Sequence, residues 1–179
     1  MTSIAIGESA PSFELPDTEG APHALAGDGD AAAPATVVVF TCNHCPYALA
    51  WHERINALVR DYADRGVRVL QVNPNDAERH PRDSLDAMRA RVARGEFAGP
   101  YLHDESQAAA RAFGAQTTPD VFVVGPDGRV VYRGAPDADH GDPSLDAAWV
   151  REALEDVLAG RSVARAETQP VGCSVKWRP

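Results

Sequence analysis

Apolar and polar positions along the chain follow two periodicities, one typical of strands and one of helices. Runs of β-branched and aromatic residues, TVVVF at 36–40 and VRVLQV at 67–72, predict strands that are buried on both faces. Residues 100–102 predict a shorter strand. Further along, residues 119–124 and 129–133 flank a Gly-Pro-Asp-Gly turn, and this pattern predicts a β-hairpin.

Between these strands, apolar residues recur at helical spacing, and Ser, Gly and Pro mark the ends of the segments. Ser84 and Ser144 are expected to be the N-caps of two of the helices. The four helices are predicted at residues 45–66, 84–94, 104–113 and 144–159.

The two ends of the chain and one internal segment lack the long strand and helix patterns of the rest. In the first 25 residues, Asp17–Gly20 reads as a turn between two short strands. The low-complexity stretch GDGDAAAPA, Gly27 to Ala35, predicts a surface loop. Residues 161–179 predict an irregular tail, and its apolar residues Val171, Val175 and Trp177 suggest that it packs back on the body.

Strands that alternate with helices imply a parallel sheet with helices on both faces, and here a hairpin adds an antiparallel edge. The predicted fold class is therefore an α/β sandwich. The 179 residues suit one domain, and we expect that domain to span residues 1–179 with residues 161–179 as its tail.

Composition and charge exclude several classes of function. The net charge is −9 and the sequence pI is about 5.0, which argues against a nucleic-acid or anionic-membrane surface. The start of the chain has neither the basic region nor the apolar region of a secretory signal, and no apolar run approaches the roughly 18 residues of a membrane span. A cytoplasmic location is predicted, where a close pair of cysteines is more often catalytic or metal-binding than structural.

Cys42 and Cys45 lie two residues apart, directly after the predicted strand 36–40 and at the start of the first helix. A helix N-terminus stabilises a thiolate, the attacking species in thiol–disulfide exchange, and a second thiol one turn on can resolve the mixed disulfide. Pro46 suits the first turn of a helix. We therefore expect Cys42 to attack with a depressed pKa and Cys45 to resolve. A cationic His44 would stabilise that thiolate and make the disulfide more oxidising.

Two alternatives to a redox pair remain open. The cysteines could be small buried structural residues, or they could belong to a metal site or a metal carrier. A metal site requires further ligands, and neither Cys173 nor the histidines show the spacing of a second zinc knuckle. No metal and no organic cofactor is therefore predicted.

Several motifs over most of the chain together resemble the thioredoxin superfamily, and within it the redoxin or AhpC/TSA-like (peroxiredoxin-like) branch. The resemblance implies a thioredoxin-like three-layer sandwich with a central mixed sheet. The motifs are GESAPSFEL at 7–15, CNHCPY at 42–47, VNPND at 72–76, LHDE at 102–105, TPD at 118–120, GPDG at 125–128 and PVGCSVKW at 170–177.

The resemblance also implies the partner of the cysteine pair. It makes Thr118-Pro119 the expected cis-proline bond of the fold, facing the cysteines, with the Thr118 backbone available to a bound peptide. The alternative is an ordinary trans proline that begins an edge strand. Thr41 and Tyr47, which flank the pair, join Thr118 and Pro119 as candidate substrate-binding residues.

Some positions depart from the patterns of relatives. Thiol peroxidases of this superfamily carry Thr or Ser three residues before the peroxidatic cysteine and Pro seven before it. Before Cys42 these positions are Val39 and Ala35, and before Cys45 they are Cys42 and Val38, so peroxidase activity by that mechanism is not expected.

Two further departures concern acids and a third thiol. Thr41 and Thr36 stand where thioredoxins carry a Trp and a buried acid, and Glu53 is either a substitute proton acceptor or a solvated helix residue. Thr117 stands where relatives often carry Cys. Cys173, in the tail, is either a third redox thiol or a packed thiol with no role.

The sequence therefore predicts a thiol–disulfide oxidoreductase that acts on protein or small-molecule disulfides and thiols, with Cys42, Cys45 and His44 as its catalytic residues. The alternatives are a thiol-dependent peroxidase acting on peroxides, and, in a different class, a metal carrier or a non-catalytic binding module. Neither nucleic acid nor membrane is predicted as a partner.

Overall fold

The computed structural model describes residues 2–26 and 33–179 of the chain. Its centre is a five-stranded sheet with the strand order β5-β4-β3-β7-β8. Strands β3, β4 and β5 are parallel, whereas β7 is antiparallel to β3 and β8 is antiparallel to β7. The bounds of these strands are β3 Thr36–Phe40, β4 Arg68–Asn73, β5 Tyr101–His103, β7 Asp120–Val124 and β8 Val130–Gly134. The mixed sheet confirms the fold class predicted from the strand and helix pattern.

The central strand β3 is buried on both faces, as its continuous apolar run predicts. Val37 and Val39 point to one face and pack with helices α1 and α4, while Val38 and Phe40 point to the other and pack with α3. The helices are α1 Pro46–Tyr62, α2 Leu85–Ala93, α3 Ala108–Phe113 and α4 Ala148–Leu158. The sheet therefore lies between helical layers and forms a three-layer sandwich.

Two small sheets complete the described part of the molecule. Strands β1 (Phe13–Pro16) and β2 (Pro22–Leu25) form an antiparallel hairpin across the predicted turn. Near the C-terminus, β9 (Cys173–Ser174) pairs with β6 (Thr117–Thr118) in an antiparallel ladder. Of the surface loop predicted at 27–35, residues 27–32 lie outside the described residues, and Ala33 and Ala35 are buried.

The predicted helix starts have different outcomes. Ser84 caps α2 as expected, since its hydroxyl accepts from the Ala87 amide at 3.2 Å. The prediction of Ser144 as an N-cap is wrong, because α4 begins at Ala148 and the Ser144 hydroxyl donates to Asp142 at 2.7 Å. The physical reason is a buried carboxylate: Asp137 accepts from the Ala147 amide at 2.8 Å and fixes the start of the helix.

The third helix is shorter than predicted, and Asp104 contributes to its start in another way. The helix begins at Ala108, after Gln107 in the left-handed conformation at φ 64°. Asp104 lies before it, and its carboxylate accepts from the Ala109 and Ala110 amides at 3.4 and 2.8 Å. These hydrogen bonds satisfy free amides of the first turn.

Candidate active site

Cys42 and Cys45 lie in the loop that leads from β3 into α1. Cys45 is the N-cap residue of α1 and Pro46 is in its first turn, so the helix terminus is at Cys45. The helix start predicted at Cys45 is confirmed, and Cys42 lies three residues before it, not at the helix terminus. Both thiols are free and buried, with exposed fractions of 2% for Cys42 and 0% for Cys45.

Thr118 is distant in sequence but contacts both sulfurs. Its hydroxyl oxygen lies 3.3 Å from Cys42 Sγ, and its carbonyl oxygen lies 3.0 Å from Cys45 Sγ. The Thr118-Pro119 peptide bond is cis, and both residues are buried. The structure thus brings the predicted pair and the predicted proline motif together.

The two thiols of the pair have pKa values that differ in direction. The pKa of Cys42 is raised by its hydrogen bond with Cys45, by burial and by the Asp83 carboxylate. The pKa of Cys45 is lowered to about 4, chiefly by the hydrogen bond from Cys42 and also by the Cys173 thiol and the Ala48 amide. The depressed pKa predicted for Cys42 is therefore wrong, since the thiolate of the reduced pair is favoured on Cys45.

When the pair holds one proton, the hydrogen-bond partners of Cys45 depend on whether Cys45 or Cys42 carries that proton. A protonated Cys45 donates to the Thr118 carbonyl oxygen at 3.0 Å. An ionised Cys45 instead accepts from Cys42 and Cys173. The ionised Cys45 accepts from several donors, whereas the protonated Cys45 donates to a single acceptor. The negative charge is therefore favoured on Cys45.

Asp83 is a fully buried carboxylate beside the pair, and it was missed in the sequence. It accepts from the Asn43 amide at 2.6 Å and from Asn75 Nδ2 at 2.8 Å, and its Oδ2 lies 2.5 Å from His44 Nδ1. It lies at the end of a 3-10 turn, Pro81–Asp83, far from the cysteines in sequence. Neither periodicity nor a motif of the chain marks it as a site residue.

The position of His44 changes its predicted role. Its ring stacks on His80 with centroids 5.6 Å apart, and its Nδ1 faces Asp83. A cationic His44 would therefore be neutralised first by Asp83, whose own charge raises the pKa of Cys42. The backbone amide of His44 lowers the pKa of Cys42 through a hydrogen bond.

The other predicted residues have mixed outcomes. Thr41 is buried, and its amide continues the sheet by donating to Val72 at 2.8 Å. Tyr47 packs against the cysteine cluster with its ring centroid 4.4 Å from that of His140. Glu53 is 75% exposed and pairs with Arg60, so it is a solvated helix residue and not a substitute for a buried acid.

A second buried carboxylate, Asp137, binds helix α1, whose N-cap is Cys45. It accepts from Trp51 Nε1 at 2.7 Å, from Arg54 Nη1 at 2.8 and 2.9 Å, and from the Ala147 amide. These bonds join α1 to the loop before α4. The residue was also missed in the sequence, because a lone Asp in a polar loop carries no signal of burial.

The C-terminal tail covers the cysteines. Cys173 is the ladder partner of Thr118, and its side chain packs against the cluster of Cys42, Cys45 and Ala48. A Cβ on Gly172 would lie 2.3 Å from the Thr118 carbonyl oxygen, so the close approach requires glycine here. Burial and the hydrogen bond with Cys45 raise the pKa of Cys173 to about 11.

The same residues offer a set of candidate metal ligands. Among the described residues, Cys42, His44 and Asp83 each present one ligand atom, and these atoms lie within 4.8 Å of one another. A thiolate, an imidazole and a carboxylate are all ligands of zinc, but a closed structural zinc site has four protein ligands.

Comparison with known proteins gives the class of the chain. The sequence profile described as the AhpC/TSA family matches residues 6–133, and the chain belongs to this family. Family and fold support a redox function. No curated protein sequence matches the chain.

Solved structures extend this likeness over the full length. A hypothetical protein from Sinorhizobium meliloti is 36% identical with a TM-score of 0.90, covering 99% of this chain and 97% of its own. An uncharacterized conserved protein from Geobacillus kaustophilus is 34% identical with a TM-score of 0.88, covering 100% and 98%. A putative thiol:disulfide interchange protein DsbE from Chlorobium tepidum, 22% identical with a TM-score of 0.68 over 87% of this chain and 99% of its own, shares the fold.

Over residues 2–26 and 33–179, no helix combines the length and the apolar character that a membrane crossing requires. The cytoplasmic location stays a prediction.

Proposed function

We propose that this protein is a thiol–disulfide oxidoreductase that uses Cys42 and Cys45 as its redox pair. The observation that carries the proposal is the contact of both sulfurs with one residue, Thr118, at 3.3 and 3.0 Å. Two thiols beside one backbone strand can exchange a disulfide with a partner chain that pairs with that strand in place of β9. Protein disulfides and small disulfides are the proposed substrates.

The proposed reaction starts with the proton that the pair shares. Cys42, the less buried of the two, becomes the attacking thiolate when its proton passes to Cys45 along the hydrogen bond between them. Cys42 Sγ attacks one sulfur of the partner disulfide, and the other sulfur leaves as a thiolate and takes up the proton that Cys45 holds, which leaves Cys45 ionised. Cys45 then attacks Cys42 Sγ, closes the Cys42–Cys45 disulfide and releases the second partner sulfur. The partner is reduced by two electrons and the pair is oxidised.

Turnover of a disulfide by site variants tests this proposal. The reduction of insulin and of a small aromatic disulfide is followed with a dithiol as electron donor. We expect Cys42→Ser to lose turnover at least a hundredfold, and Cys45→Ser to accumulate the mixed disulfide. Glu53→Gln, an exposed change on the same helix, is the matched control and should keep the wild-type rate. Wild-type turnover no faster than the uncatalysed exchange would sink the proposal.

A metal carrier is the second candidate, and the grouping of Cys42, His44 and Asp83 favours it. Zinc or copper bound in stoichiometric amount, lost in both Cys42→Ser and Asp83→Asn and accompanied by no disulfide turnover, would support the carrier. Peroxide reduction has less support, because the position three residues before Cys42 is Val39, a buried side chain without a hydroxyl. Peroxide consumption by the same variants measures it directly.

A further inference from the structure

Three sulfurs meet at one place in the described structure, and Cys45 is the central one. Cys42 and Cys45 lie in one buried cluster with Cys173 packed against it, and the thiols of both Cys42 and Cys173 act on the pKa of Cys45. The third thiol comes from the tail, 128 positions along the chain from Cys45 by residue number. The arrangement differs from a simple two-cysteine site, in which the second sulfur has one thiol neighbour.

The tail is fixed on both sides of Cys173. Before it, Gly172 lies against the Thr118 carbonyl without room for a Cβ, and Cys173 itself is paired with Thr118. After it, the Val175 amide donates to the Gln116 carbonyl at 3.1 Å, and Val175 is buried in the core.

The residue after that is held by three further bonds. The Lys176 amide donates to Asn75 Oδ1 at 2.9 Å, and the Lys176 carbonyl accepts from the Asp76 amide and from Gln107 Nε2, both at 2.9 Å. Cys173 is therefore a positioned thiol on an ordered strand.

We propose that Cys45 is the pivot of a three-thiol relay, in which its disulfide moves from Cys42 to Cys173. The inference rests on the proposed function, because an external disulfide substrate is the oxidant that first forms the Cys42–Cys45 bond. The Cys173 thiolate attacks Cys45 Sγ, the Cys45–Cys173 bond forms and the Cys42–Cys45 bond breaks. The electron pair remains on Cys42 Sγ, which takes up the proton that Cys173 lost. No net oxidation occurs in this step.

The change in charge on Cys45 between the reduced and oxidised forms affects the attacking thiol of this step, Cys173. In the reduced form, the Cys45 hydrogen bond and charge help to raise the pKa of Cys173. Once Cys45 is part of a disulfide, it carries no charge. Burial then still raises the pKa of Cys173, and the charge of Lys176 lowers it.

The relay has a consequence for the tail. In the Cys42–Cys45 isomer, β9 is held on β6 by non-covalent bonds, and the tail can leave the Thr118 strand to a partner chain. In the Cys45–Cys173 isomer, a covalent bond holds the tail across the site and Cys42 is a free thiol.

Peptide mapping of the oxidised protein tests the relay without any turnover assay. The full chain is equilibrated with oxidised glutathione, quenched with acid, alkylated and digested with trypsin. Trypsin cuts after Arg and Lys, so Cys42 and Cys45 stay together on residues 1–54 and Cys173 lies on residues 166–176. A Cys45–Cys173 disulfide therefore links two peptides, whereas a Cys42–Cys45 disulfide stays within one.

We expect Cys42→Ser to give the linked peptides at least tenfold more than Cys45→Ser, and wild type to give both isomers. The same two variants in concentrated urea are the control. In the unfolded chain, the loop closed by a Cys42–Cys173 disulfide is only three residues longer than the loop closed by a Cys45–Cys173 disulfide. Chain closure alone therefore forms the two disulfides equally often. Near-ultraviolet circular dichroism of the reduced variants verifies that they are folded.

Equal yields from the two folded variants, or two free thiols in oxidised Cys42→Ser, would overturn the relay. Failure of the proposed function has a different signature: disulfide turnover is absent, whatever the mapping gives. If the protein turns over disulfides but the disulfide maps of Cys173→Ser and wild type are the same, the proposed function stands and the relay is overturned.

Discussion

At the scale of single residues, Asp83 is the group whose charge most directly opposes a thiolate on Cys42. It is fully buried and contacts Asn43, Asn75 and His44. Replacing it by Asn removes the charge and keeps the size, so we expect the pKa of Cys42 to fall. For each unit of fall, the thiolate at a pH below the pKa becomes about tenfold more abundant.

The measurement is the pH dependence of alkylation of Cys42 in the Cys45→Ser background, which removes the coupled neighbour. Asp86→Asn, an exposed carboxylate in the first turn of α2, is the matched control and should leave the profile unchanged. A profile that moves to higher pH in Asp83→Asn would show that the carboxylate holds the loop and does not act through its charge.

Asp120 is a second residue whose burial predicts a pH effect, here on stability. Burial raises its pKa to about 7, against hydrogen bonds from the Gln116 and Thr117 amides. Between about pH 4 and 7 the folded state binds a proton that the unfolded state has released, so stability falls as pH rises through that window. The full effect is at most roughly 4 kcal/mol, since one pKa unit corresponds to about 1.4 kcal/mol.

The Asp120→Asn variant should lack this loss. Its free energy of unfolding relative to wild type, from urea titrations, is expected to be higher at pH 8 than at pH 5. Asp127→Asn, exposed in the turn between β7 and β8, is the control for the change of net charge. A difference that is constant between the two pH values would mean that Asp120 is ionised in the folded protein.

At the scale of elements, Asp137 joins α1 to the loop before α4 through Trp51, Arg54 and the Ala147 amide. The Arg54 side chain is only 10% exposed, so removing its partner leaves a buried charge uncompensated. We expect Asp137→Ala to lower the free energy of unfolding by about 3–5 kcal/mol. Asp139→Ala, 61% exposed in the same loop, should lower it by less than about 1 kcal/mol. Equal losses in the two variants would contradict the assignment.

The pairing of β9 with β6 gives an element-scale prediction about access to the site. In Gly172→Ala, the new methyl group meets the Thr118 carbonyl, so the tail must shift away from the cysteines. We expect a loss of about 1–3 kcal/mol in stability, as for other over-packed positions, and faster alkylation of Cys42. Gly141→Ala is the control, because its nearest atom is a flexible Asp139 oxygen at 3.3 Å. Unchanged alkylation in Gly172→Ala would indicate that the tail does not limit access.

The elements also show which structural features the sequence can predict. Strand β3 and helix α1 were predicted because their signals are local: a continuous apolar run, a Pro in the first turn, and apolar residues at helical spacing. The start of α4 was predicted wrongly, because Asp137 fixes it from outside the segment. Asp83 binds the Asn43 amide between the two cysteines from a turn some forty positions away, and nothing in its neighbourhood predicts that contact.

At the scale of the whole molecule, the sheet with a hairpin at one edge followed from the alternation of strands and helices, and the cysteine pair followed from its motif. The charge state of the pair did not, because it depends on three contacts that the fold creates: Asp83, Thr118 and Cys173. A depressed pKa predicted from a helix terminus assumed that the first cysteine occupies it. The chain places Cys45 there instead.

The net charge of −9 gives a prediction for the molecule as a whole, which rests on the proposed function. At about 10 mM salt the Debye length is about 30 Å, so the total charge repels an anionic disulfide and attracts a cationic one. At about 150 mM salt the length is about 8 Å, and the charges near the site dominate. These include Arg79 and Arg82, which line a cavity with His44.

As the salt concentration rises, the repulsion of anions by the total charge is screened and the attraction of anions by the nearby arginines remains. Both changes favour the anionic disulfide. The turnover rate with oxidised glutathione, divided by that with cystamine, is expected to rise several-fold between about 10 and 150 mM salt. A neutral disulfide, 2-hydroxyethyl disulfide, is the control and should show a flat rate. A ratio that falls with salt would mean that the arginines beside His44 outweigh the total charge at every ionic strength. The site would then select anionic partners by its local field, although the molecule as a whole is acidic.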